Sequence, residues 1–226
     1  VGGMNLTAAV TGSIGSVPNP IAVPADVTQV MFNFTAGNTA GTGQIQINGT
    51  TTADVSVIDQ PADLDIGGYT LVQTTSAKTY DIPSGTMVPA GGYVIISRTA
   101  TKAEFETYFG LTLGANVIYL NAGDAGITIN GDETYALQNA SSTVIDGPSI
   151  AQPATAGRNY SRVQPVGPAN MASSWTDQAD SIAVCSPGSG QTIPGTLSGI
   201  YISEISDVSG SGNFKYEYVE LFYDGG

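Results

Sequence analysis

The sequence predicts an all-β sandwich with one short helix, and three observations carry that expectation. Apolar residues come in short runs or alternate with polar ones at period two, the spacing that puts one side of a strand into a core. Gly, Pro, Asn and Asp punctuate those runs at close intervals, as turns require. Charged residues make up 11% of the 226-residue chain and hydrophobic ones 41%, which gives ample material for a core and little for long solvated helices.

In chain order, residues 1–26 are rich in Gly, Pro, Ser and small apolar residues and read as an extended N-terminal arm lying along a sheet. Strands are expected at Val27–Phe34, Gly43–Asn48, Asp54–Ile58, Tyr69–Thr74, Tyr93–Ser97, Val117–Asn121, Gly126–Ile129, Tyr135–Asn139 and Thr143–Asp146, with two more at Ile200–Ile205 and Tyr216–Tyr223. Strands at this density argue for a sandwich. The helix is expected over Thr101–Phe109: Thr101 can cap it, Glu104 stands at the capping-box position and Gly110 stops it. Phe105, Tyr108 and Phe109 share one face, which reads as core-facing. The segment 191–199 reads as a linker, because Pro194 and Gly195 sit among small polar residues. The expected division is therefore a 1–26 arm, a 27–190 sandwich, a 191–199 linker and a 200–226 C-terminal hairpin.

Composition narrows the function. Nineteen acidic residues against six basic ones give a net charge of -13, a surface that repels nucleic acid and anionic membranes and favours cationic partners. There is no histidine, and the one cysteine is Cys185, so a Ser-His-Asp triad, a Cys-His zinc site and an internal disulfide are excluded. No run approaches the length of a membrane span. No Gly-rich phosphate loop stands between a strand and a helix, and the Asp residues fall mostly in turns, where local hydrogen bonding favours them. The chain reads as a non-catalytic protein. Five Asn-x-Ser/Thr sequons, at Asn5, Asn33, Asn48, Asn139 and Asn159, together with scarce Lys, fit an exported chain at the cell surface or outside it, and the start at Val1 fits a removed signal or a fragment equally.

The middle of the chain resembles the lamin-tail domain. The pieces come in order: Asp63-Leu64-Asp65-Ile66-Gly67-Gly68-Tyr69-Thr70-Leu71, Tyr80-Asp81-Ile82-Pro83-Ser84-Gly85-Thr86, Pro89-Ala90-Gly91-Gly92-Tyr93, Leu120-Asn121-Ala122-Gly123-Asp124, Val144-Ile145-Asp146, Gly157-Arg158-Asn159-Tyr160-Ser161-Arg162, Trp175 and Ser186-Pro187-Gly188. The resemblance covers roughly 63–188. It implies an immunoglobulin-like sandwich and a role as an accessory domain of surface proteins. Trp175 reads as a core plug with a polar handle, and Arg158 and Arg162 as partners of carboxylates.

One departure matters. The family opens with an Ile-x-Glu-Ile strand, a Gly-rich loop and a Glu-Tyr-Val-Glu-Leu strand, yet here Ile202-Ser203-Glu204-Ile205 and Glu217-Tyr218-Val219-Glu220-Leu221 stand at the C-terminal end. Both faces of both strands are largely apolar, so the hairpin requires burial on two sides, and alone it is at best marginally stable. It folds back as a circular permutation, begins a further domain, or is donated to a neighbouring copy by strand addition. Donation makes Ile200, Ile202, Ile205, Tyr218, Val219, Leu221 and Phe222 the interface of a filament or surface layer of identical copies. The alternative is a non-catalytic adhesion module for a glycan or a cell-surface protein. No cofactor is required by either. Calcium is the one ion the sequence suggests, because Glu204 and Glu220 would sit together if paired, and Asp124 and Asp132 stand in turns; no EF-hand spacing is present. The opposing reading is a set of solvated or Arg-paired carboxylates.

Overall fold

In the computed structural model the described residues are 4–23, 31–36, 40–57, 62–76, 78–129, 132–151, 157–179, 181–191, 199–208 and 212–226. The fold is all-β, with several sheets and few helices. It divides into two compact units at Gln60/Pro61, not at residues 26/27 as the sequence suggests.

The first unit holds β1 (Met4–Leu6), β2 (Ala8–Val10), β3 (Gly15–Ser16), β4 (Ile21–Val23), β5 (Thr35–Ala36), β6 (Gly41–Ile47) and β7 (Thr50–Val57). They form a three-stranded sheet, β2-β6-β7, and two small pairs, β1-β4 and β3-β5. The expected arm is therefore a set of short strands with partners of their own. Residues 31–34, expected as strand, are irregular, and 27–30 lie outside the described residues.

The second unit holds β8 (Leu64–Asp65), β9 (Thr70–Gln73), β10 (Lys78–Asp81), β11 (Met87–Val88), β12 (Gly92–Ser97), α1 (Lys102–Phe109), β13 (Val117–Asn121), α2 (Gly123–Gly126), β14 (Tyr135–Gln138), β15 (Val144–Asp146), β16 (Arg158–Arg162), β17 (Trp175–Ala179), α3 (Ser181–Val184), β18 (Ile200–Ser206) and β19 (Tyr218–Tyr223). A four-stranded sheet runs β10-β9-β14-β15 and a six-stranded one β13-β12-β19-β18-β16-β17. A single apolar core takes Leu71, Tyr135 and Leu137 from the first and Val94, Ile96, Tyr160, Ile202, Val219 and Leu221 from the second, as in a sandwich. Trp175 lies in that core and donates its indole N–H to Ala169 O at 2.7 Å. The outer face of the six-stranded sheet is buried too, with Tyr93, Ile95, Tyr218 and Phe222 packed against Phe105 of α1.

Helix α1 forms as its caps dictate. The Thr101 hydroxyl accepts from Glu104 N, the Glu104 carboxylate accepts from Thr101 N, and Gly110 closes the helix at φ 66°. The pair β12–β13 is parallel, and parallel neighbours need a crossover; α1 is that crossover.

The expected strand at Gly126–Ile129 is absent. Its apolar residues are buried, but the Thr128 and Ile129 N–H groups donate to the Gln73 amide oxygen and the Glu217 carboxylate instead of to a neighbouring strand. Buried side-chain acceptors do the work of a ladder there, as buried N–H groups require.

Candidate functional site

The C-terminal hairpin occupies the middle of the six-stranded sheet. β19 pairs with β12 from Gly92↔Tyr223 to Ser97↔Tyr218, and β18 pairs with β16 from Asn159↔Ser206 to Ser161↔Glu204. All seven residues expected at an interface are buried within their own chain: Ile200, Ile202, Ile205, Val219 and Leu221 face the sandwich core, while Tyr218 and Phe222 face α1. Without the hairpin, β12 and β16 would each lose a neighbour.

Simple alternation would put Glu204 on the face of Ile200 and Ile202. The structure corrects this. The β18–β19 register runs Ile202↔Leu221 and then Glu204↔Glu220, leaving Ser203 as an extra residue. This bulge shifts the phase by one, so Ile205 joins Ile200 and Ile202 in the core and Glu204 turns to the other face, opposite Glu220.

Both carboxylates are about 1% exposed. Glu204 accepts from Asn159 Nδ2 at 2.8 Å, Ser161 Oγ at 3.1 Å, Tyr218 Oη at 2.7 Å and Ser186 N at 3.0 Å. Glu220 has two donors, Ser203 Oγ at 2.7 Å and Gly188 N at 2.6 Å. The two side chains thus hold the Ser186-Pro187-Gly188 turn against the sheet by its N–H groups, with Pro187 of the turn buried. The left-handed φ of 77° at Gly188 makes this position a glycine. Burial raises the pKa of both carboxyls; four donors oppose the shift at Glu204, whereas repulsion from Glu204 adds to it at Glu220. Burial also pushes Cys185, beside the turn, up to about 12.

Of the expected metal ligands, Glu204 and Glu220 stand together, but Asp124 and Asp132 do not join them. Among the described residues no group of three Asp, Glu or Cys side chains is placed to hold an ion. Asp124 pairs with Arg98 Nε at 2.9 Å, and Asp132 is exposed at a turn with φ 59°. Glu204 and Glu220 bind backbone and hydroxyl donors, and their role here is to hold a turn. Arg158 and Arg162 pair with carboxylates, Asp177 at 2.6 Å and Asp146 at 2.8 Å.

The sequons separate by exposure. Asn33 and Asn48 are exposed and Asn139 is partly exposed, while Asn5 lies in β1. Asn159 is corrected: it is 0% exposed and its amide donates to Glu204, so no glycan fits there.

A second buried acidic group was not anticipated. Glu217 takes Arg98 Nη1 at 3.0 Å and Ile129 N at 3.1 Å, and Asp207 is 3% exposed with Oδ2 unpartnered. Burial lifts each to about 7, with Glu133 adding to the rise at Asp207 and Arg98 opposing it at Glu217. The signal for Glu217 was its period-two alignment with Val219 and Leu221, which puts a carboxylate on the core face.

No helix among the described residues is long and apolar enough to cross a membrane. No family model matches the chain, and no curated protein or solved structure matches it.

Proposed function

We propose that this is a non-catalytic, extracellular structural protein on a lamin-tail-like sandwich, whose copies link into a filament or surface layer by strand addition. The observation that carries the reading is the place of the hairpin. Residues 200–226 stand at the C-terminal end, yet supply the two central strands of the six-stranded sheet. Ten of its hydrophobic side chains are buried, at about 1.5–3 kcal/mol each, a sum at least as large as the ~5–15 kcal/mol net stability of a whole domain. The unit requires a hairpin in that seat, and the seat accepts an identical hairpin from another copy as well as its own, which is the condition for exchange between protomers. The acidic, Lys-poor, sequon-bearing composition supports an extracellular setting.

The test is a disulfide across the seat. Val94 and Leu221 are Cα partners on β12 and β19. The variant V94C/L221C, in a C185S background, is oxidised after assembly and run without reductant. A ladder of covalent oligomers, with filaments or sheets under the electron microscope, is the expected result. Internally bridged monomers alone, beside intact polymers, would assign assembly to another surface.

One observation favours the adhesion reading. An open depression of about 560 Å³ on the first unit is lined by Thr42, Gln44, Asp54 and Ser56, with Gly43 and Val55 between them. Its hydroxyls, amide and carboxylate suit a neutral glycan. Hits on a glycan array, lost in Gln44→Ala, would favour it.

A further inference from the structure

We propose that the Glu204–Glu220 pair is a proton-operated latch: one proton retained by the pair keeps the Ser186-Pro187-Gly188 turn closed on the hairpin, and its loss lets that turn lift away. The inference concerns the single chain and stands whether or not copies exchange hairpins.

The geometry builds the latch. The bulge at Ser203 places two carboxylates directly opposite each other on one face of an antiparallel pair, where like charges destabilise. Both are withdrawn from water, and no ion pair among the described residues reaches either. The titratable groups facing them are Tyr218 from β19, Tyr93 from β12 and Cys185 from the segment after α3. None of these can supply a positive charge. Asn159 and Ser161 of β16 and Ser203 of β18 are neutral. Two buried like charges without a counter-ion cannot both persist at low cost, so such a pair retains a proton.

The hydrogen bonds indicate where it resides. Glu204 is met by four donors, the coordination of an ionised carboxylate. Glu220 is met by only two, and one of them, the Ser203 hydroxyl at 2.7 Å, can turn to accept a hydrogen bond from a protonated Glu220 Oε1. A protonated Glu220 therefore keeps both contacts: its other oxygen still accepts from Gly188 N, and Glu204 still accepts from Ser186 N. Removing the proton places two full charges face to face, and the cheapest relief is entry of water where the turn lies. The sign follows from the raised pKa values of the pair: closure is complete at acid pH, and the turn opens as pH rises beyond the ordinary carboxylate range through the raised value.

Cys185, beside the turn and half-buried, reports the opening. Maleimide labelling of the whole chain is followed across pH for wild type and Glu220→Gln. Gln can still accept from Gly188 N and donate to Ser203 Oγ, but it cannot ionise. Glu220 contributes to the raised pKa of the Cys185 thiol, so each rate is divided by that protein's own thiolate fraction, read from thiolate ultraviolet absorbance, before the ratio is taken. The expected ratio, wild type over E220Q, climbs by about tenfold per pH unit through the window, as opening coupled to one proton requires, while Asp207→Asn tracks the wild type. A ratio constant with pH overturns the latch. Should E220Q not fold, amide hydrogen exchange at Ser186 and Gly188 in the wild type decides. Coupling to one proton adds about tenfold per pH unit to the base-catalysed increase; the base-catalysed slope alone overturns the proposal.

Discussion

At the residue scale, the structure is governed by what becomes of the few charges it buries. Arg162 shows the charge-paired case, with Nε alone left without a partner. Its guanidinium holds Asp146 at 2.8 Å, donates to Ile202 O at 3.2 Å and lies 4.8 Å over the Trp175 ring. Sequence alone marked Arg162 as a carboxylate partner, since a cation in so acidic a chain finds one. Asp207 shows the opposite case, a buried carboxyl with one oxygen unpartnered, and nothing in the pattern around it marked it, because its burial depends on loops that meet only in the fold. Burial first, and Glu133 second, lift it to about 7. A carboxyl with a raised folded pKa stabilises relative to its ionised form at acid pH, and that contribution is lost as pH climbs through about 7. Asp207→Asn removes the titration. We expect thermal melts of the variant to fall less between acid and neutral pH than those of wild type. Above pH 7 we expect a stability gain on the order of 1 kcal/mol, the low end of the cost of an unsatisfied buried polar atom. An unchanged pH slope would mean that Asp207 finds a partner on ionising.

At the scale of elements, local chemistry was legible and phase was not. Strand β13 lies at Val117–Asn121 as read, and α1 has the caps its sequence announces, because both follow from neighbours in the chain. The two-sided burial of the hairpin was also legible, from apolar residues on both faces. The bulge at Ser203 was not, since an extra residue is set by the partner strand and by what each face must hold. It has a sharp consequence. Deleting Ser203 removes the extra residue itself, so Ile200, Ile202 and Ile205 keep the core face, Glu204 stays opposite Glu220 and the ladder becomes continuous. The deletion is therefore expected to keep cooperative unfolding of the second unit, at about 1 kcal/mol lower stability for the lost hydroxyl donor to Glu220, and Ser203→Ala to cost about the same. Circular dichroism melts of the two variants check this; a deletion variant that no longer melts cooperatively would show that the bend at the bulge, and not phase alone, is required.

At the scale of the whole molecule, the two units differ in how much core they own. Both apolar clusters draw all their residues from 61–226. In the first unit the buried apolar side chains among the described residues are Ala8, Ile14, Ile21 and Ile45, held by short strands and by side-chain bonds such as Gln44 Nε2 to Asp54 Oδ1 at 3.0 Å. The sequence drew the boundary near residue 26 because the composition changes there, but contacts, not composition, divide a fold, and the strands before and after that point belong to one unit. A segment of about 60 residues buries too small a share of its surface to fold on a thin core. Chain 61–226, made alone, is therefore expected to melt cooperatively within a few degrees of the intact protein's main transition. Chain 1–60 alone is expected to show no cooperative melt. A 61–226 fragment that does not fold would show that the first unit contributes to the stability of the second. A cooperative melt of 1–60 would show that hydrogen-bonded turns hold a unit together where apolar burial is thin.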